Sequence, residues 1–80
     1  MKQPLTALAE GEICKVNSLL TEGILRRRML DLGLVEGTYI LALHIGRKRE
    51  IAAYLIRGAV IALRKEDAER IIITNISKYL

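Results

Sequence analysis

"ILRRRMLDLGLVEGT", residues 24–38, is where the chain changes its period. Just upstream, "EICKVNSL" (12–19) alternates as a strand does, with Cys14, Val16 and Ser18 on one side and Ile13, Lys15 and Asn17 on the other. From Thr21 the spacing turns helical. Thr21 is the expected N-cap, and Glu22 the anion of the first turn, where the helix dipole favours negative charge. At about 100° per residue Leu25, Met29 and Leu32 form one stripe, flanked by Ile24 and Arg28. Gly33 then supplies the left-handed residue that ends many helices, and Leu34 would fold back on Met29 as the apolar contact of a Schellman turn. Glu36-Gly37 turns the chain once more.

Downstream the period is that of strands. "TYILALHI" (38–45) and "EIAAYLIR" (50–57), joined by "GRKR" (46–49), read as a hairpin. Gly58 breaks the run and "AVIALR" (59–64) continues the sheet. "KEDAER" (65–70) suits one helical turn, with Glu66 and Arg70 at i,i+4. "IIITNI" (71–76) is a last strand, followed by the tail "SKYL". Upstream, "PLTALAEGE" (4–12) reads as an irregular lead-in with a turn at Glu10-Gly11. About five short strands and one helix, several strands apolar on both faces, imply a mainly β chain: one small SH3-like or OB-like barrel spanning residues 1–80.

Composition narrows the function. Of the 80 residues 51% are hydrophobic, which excludes disorder, and the net charge of +4 is far from that of a polycationic arm. The one cysteine, Cys14, permits no internal disulfide and suits a reducing compartment. No secretory signal opens the sequence and every apolar run is shorter than a membrane span needs, so a cytoplasmic protein without a span of its own is expected.

Few residues here could carry catalysis. A single histidine, His44, a single cysteine and no nucleophile–base spacing argue against an enzyme. Glu66, Asp67 and Glu69 read as a solvated turn, and Cys14 as a small hydrophobe. Neither a cofactor nor an intrinsic metal site is indicated: Cys14 and His44 could meet only on neighbouring strands, and two ligands make a weak site. Two basic groups remain, Arg26, Arg27 and Arg28 on the helix and Arg47, Lys48 and Arg49 in the hairpin loop. Nucleic acid is disfavoured as their ligand, because the aromatics are Tyr39, Tyr54 and Tyr79, with no Phe or Trp for base stacking. Leu30 stands out. On the wheel it falls about 140° from the Leu25 stripe, between Arg26 and Arg27, an apolar centre with a charged rim such as interfaces use.

"LRRRMLDLGLVEGT" (25–38), followed by a hairpin and "IRGAVIALRKEDAERIII" (56–73), resembles the FeoA family of ferrous-iron-transport accessory proteins. The likeness runs from "PLTALAEGEICKV" to the last strand. It implies an SH3-like barrel with an inserted helix, a role in iron transport and transition-metal biology, and a partner: a FeoB-type membrane transporter with a cytoplasmic G domain. A related domain closes the iron-dependent repressors, behind a DNA-binding part of which nothing is seen here. Where many relatives have a Gly-Asp-Pro turn this chain has "GRKRE", acidic replaced by basic. The family implies no catalytic residues. The expectation is therefore a non-enzymatic protein–protein interaction module, its contact made by Arg26, Arg27, Leu30 and Leu34. The alternatives are a small-barrel nucleic-acid binder and a free-standing metal-sensing domain. The Ile-rich end "IIITNISKYL" could also pair as an edge strand in a homo-oligomer.

Overall fold

Three β-bulges give the sheet its shape. The computed structural model describes residues 1–80, and its strands are β1 (Gln3–Pro4), β2 (Glu12–Leu19), β3 (Tyr39–Ile45), β4 (Ile51–Ile56), β5 (Ala59–Arg64) and β6 (Ile71–Lys78). They form one antiparallel sheet in the order β1-β6-β2-β3-β4-β5. Register shifts occur in β2 between Val16 and Ser18, in β3 between Ala42 and His44, and in β6 opposite Cys14, where Asn75 is left-handed at φ 58°. A bulge bends its strand and adds twist, so three of them curl six short strands around one core.

Each bulge also moves side chains from one face to the other. Ser18 does not stay beside Val16: the extra residue Asn17 turns it outward opposite Ile72 and sets Leu19 against the core opposite the buried Ile71. In β3, Ala42 is inside opposite Tyr54, but His44 pairs with Ala53 on the outer face. Strict alternation could not have shown either reversal.

The hairpin, β5 and the helical turn α2 (Lys65–Ala68) lie as the sequence implies. The i,i+4 pair does not form; the only His, Lys or Arg side chain within 4.0 Å of a carboxylate is His44, whose Nδ1 lies 3.5 Å from Glu10 Oε1. Residues 3–8 are more ordered than an irregular lead-in. Gln3 and Pro4 add a sixth strand beside Ile73 and Ile72, and a 3₁₀ turn at Leu5–Ala7 inserts Leu5 and Leu8, both fully buried, into the core. β6 is accordingly paired with β2 along its length and with β1 only at Ile72 and Ile73. The edges are β1 and β5.

The helix α1 (Gly23–Asp31) is inserted between β2 and β3. Its N-cap is Glu22, without a side-chain capping bond, whereas Thr21 is buried and its Oγ1 has no hydrogen-bond partner. The start therefore lies one residue later than the capping rule suggests, because packing holds Thr21 inside. The end is a complete Schellman turn. Gly33 N–H donates to the Leu30 carbonyl at 3.0 Å, Leu34 N–H donates to the Met29 carbonyl at 3.1 Å, and Gly33 sits at φ 98°.

Candidate functional site: the outer face of the inserted helix

The Schellman turn decides which leucines of α1 face water. Met29 is buried and Leu25 half-buried against the core, as the stripe requires, but Leu32 is exposed. The helix ends at Asp31, and the reversed chain delivers Leu34 to the core in its place: Leu34 is completely buried in the same cluster as Met29. This corrects two expectations. Leu32 belongs to the surface, and Leu34, read as a contact residue, is core and has no area to offer a partner.

Arg26, Arg27 and Leu30 do come together. With Gly23, Ile24 and Asp31 they line a shallow open depression along the outside of α1. Leu30 is 39% exposed at its centre, and Arg26 is fixed at the rim by an Nη1 hydrogen bond to the Leu19 carbonyl at 3.1 Å. Leu30 and Asp31 also line a second depression, between the C-terminal end of α1 and the β4–β5 hairpin, with Leu32, Val35, Ala59 and Ile61 among its walls. The apolar strip is thus longer than the sequence indicates. Ile24, expected beside the core stripe, is 82% exposed and extends it in the other direction. The wheel could have flagged Ile24, which lies at the margin of the stripe. It could not have flagged Leu32 or Val35, whose exposure depends on the turn at Gly33.

The two basic groups do not merge. Arg47, Lys48 and Arg49 occupy the loop before β4, whereas α1 packs near its other end, at Ile56 and the turn beyond. Of the tyrosines, Tyr54 is buried, leaving Tyr39 and Tyr79 exposed, and Lys15 Nζ lies over one face of Tyr39, 5.2 Å from the ring centre.

The residues with metal or nucleophilic chemistry are dispersed. Cys14 is buried in β2, and desolvation, with a smaller contribution from the Glu12 carboxylate, pushes its thiol up to about 12. His44 is on the outer face, its Nδ1 beside Glu10 Oε1. β2 and β3 are neighbours, yet the bulge at residue 43 separates the two side chains onto opposite faces. No group of three His, Cys, Asp or Glu side chains is arranged to hold a metal ion. No helix is long and apolar enough to cross a membrane.

The family profile of the FeoA domain matches residues 3–75, nearly the whole chain. The chain belongs to the FeoA family. Its curled sheet with inserted helix is an SH3-like fold. No curated protein matches the sequence. Among solved structures, a FeoA-like protein from Clostridium acetobutylicum is 27% identical, with a TM-score of 0.81 over 91% of this chain and 85% of that one. The FeoA of Stenotrophomonas maltophilia, a prokaryotic SH3-domain protein complexed with zinc, is 20% identical, with a TM-score of 0.87 over 98% of this chain and 99% of that one. A manganese-dependent transcriptional repressor, 16% identical, shares the fold over 91% of this chain and 40% of its own, with a TM-score of 0.80.

Proposed function

We propose that this FeoA-family protein is a non-enzymatic, cytoplasmic accessory of ferrous iron uptake that docks on a FeoB-type transporter carrying a G domain. The contact is the outer face of α1, with Leu30 as anchor and Arg26 and Arg27 on its rim. The observation that carries this reading is the exposure of Leu30 in an apolar strip with Ile24, Leu32 and Val35. Such a strip is not needed by the core, which Met29 and Leu34 already fill. Central apolar anchors dominate binding energy, whereas rim charges mainly set encounter rate and salt sensitivity. Nucleic acid is a poorer fit, with the basic groups at opposite ends of β4 and no Phe or Trp for base stacking.

The test is Leu30→Glu. The variant keeps its fold, since Leu30 makes no part of the buried cluster, but loses co-purification with the transporter and lowers Fe(II) uptake in cells. Arg26→Ala combined with Arg27→Ala weakens the association more gently, and the loss shrinks as salt is raised. A folded Leu30→Glu protein that still co-purifies and supports uptake would overturn the reading.

A further inference from the structure

β5 is an open edge. It is the terminal strand of the sheet, and it pairs with β4 through six consecutive residues without a bulge. Arg57 and Gly58, at φ 50° and 81°, connect the two strands as a two-residue turn of the I′ kind. In such a hairpin the flanking residues, Ile56 and Ala59, exchange hydrogen bonds, so Ala59, Ile61 and Leu63 direct their backbone groups to β4. The parity is confirmed one step on, where Lys65 N–H donates to the Glu50 carbonyl at 2.9 Å. Val60 and Ala62 must then turn both N–H and C=O away from the sheet. No hydrogen bond outside the β4 ladder reaches either residue.

Soluble proteins blunt such edges with proline, a bulge or an inward charge. β5 has none of these, and its only charge is Arg64 at the far end. Beside the edge lies the second depression. Ala59 and Ile61 share a face with the buried Ile56 and Tyr54, yet the core does not cover them fully, and the opposite wall is Leu30, Leu32 and Val35. A strand laid along the edge would direct alternate side chains into this space.

We infer that β5 accepts an extended segment of a partner protein as a seventh strand, apolar at alternate positions and carrying carboxylates at its flanks. The backbone of Val60 and Ala62 supplies the hydrogen bonds and the depression the side-chain selectivity, as in strand addition generally. Charge selects the occupant. Arg57 and Arg64 stand at the two ends of the edge, with Lys65 next to Arg64 and the carboxylates Glu66 and Asp67 following in α2. A second copy pairing antiparallel about a two-fold axis would bring Arg57 beside Arg64 and Lys65 of the copy at both ends. An acidic segment meets the same groups with opposite charge. The inference shares Leu30, Leu32 and Val35 with the contact proposed for the transporter, and goes beyond that contact in resting on the β5 backbone, which docking on α1 does not use.

A random twelve-residue peptide library displayed on phage, selected on the immobilised protein, tests it. The expected sequences have apolar residues at every second position, Asp or Glu on the flanks and no central proline. Added as a synthetic peptide, the consensus should slow amide exchange at Val60 and Ala62 at least tenfold. Replacing its acids by lysine, or the protein's Ala62 by proline (Ala62→Pro), should weaken binding at least tenfold. Proline is tolerated where the N–H faces solvent; should that variant not fold, the exchange data and the lysine peptide decide. The inference is overturned by no enrichment, by enriched peptides with helical or proline-rich spacing, or by protection confined to other segments. It is also overturned if Val60 and Ala62 become protected without peptide as protein concentration rises, which would give the edge to a second copy.

Discussion

Replacing Gly33 by alanine perturbs the turn on which the surface of α1 depends. An L-residue in left-handed backbone is disfavoured by about 1–2 kcal/mol, and φ 98° at Gly33 lies well inside the positive range. A Cβ there would also collide with Cδ of Arg57, whose aliphatic stem lies across the glycine. Because that stem is flexible, its displacement adds up to about 1 kcal/mol, the low end of what overpacking costs. The expected destabilisation is therefore about 1–3 kcal/mol, which for a domain of this size lowers Tm by roughly 5–20 °C. Thermal melts followed by circular dichroism, with urea titrations for the free energy, measure it. Arg57→Ala in the Gly33→Ala background should return the steric part and leave the conformational part, so the two separate in a double-mutant cycle. If Gly33→Ala melts with the wild type, the helix does not end in a left-handed glycine. The burial of Leu34 and the exposure of Leu32 would then need another cause.

Two further outcomes follow from the same packing, alongside the Leu30→Glu experiment. Met29→Ala should cost about 2–5 kcal/mol, since a buried side chain loses transfer energy and leaves a cavity, whereas Leu32→Ala, at the exposed C-cap, should cost less than about 1; equal losses in urea would mean that the core ends elsewhere. Cys14 gives a pH dependence. Its native thiol holds a proton up to about 12, whereas an unfolded thiol releases it near 8.5. Between those values the native state binds more protons, so stability falls as pH rises through that window. Cys14→Ala should flatten that fall, and wild-type thiol should react with Ellman's reagent at pH 8 only in denaturant; prompt reaction of the folded protein would refute its burial.

The strands and helix of this chain were legible because local pattern and tertiary packing agree. Residues 12–19 alternate, residues 24–32 repeat at helical spacing, and Gly33 followed by Leu34 carries the whole signal of the Schellman turn. What escaped was set by long-range geometry. The bulges at Asn17 and between Ala42 and His44 reverse the faces of Ser18 and His44 without any mark in composition. Leu5 and Leu8 sit among turn-forming residues, and only the sheet that closes over them makes them core. At the candidate site the grouping of Arg26, Arg27 and Leu30 could be read from the wheel. The assignment of Leu34 to the contact failed because the reversal that exposes its neighbours carries it inward.

The central strand has a temporal consequence. β2 is held on one side by β3 and on the other by β6, so residues 12–19 bond to residues 71–78 across almost the entire chain. Loop closure over such a span must precede the contacts that repay it, and topologies of this kind fold slowly for their size. β2 can meet β3 by closing the shorter loop, but its other edge stays unpaired until β6 has been brought across the chain. The buried cluster that holds Met29 and Leu34 lacks Ile71 and Ile73 before that moment. The folding chain therefore passes through a stage in which the strand destined for the middle of the sheet still offers an unpaired edge to wrong partners.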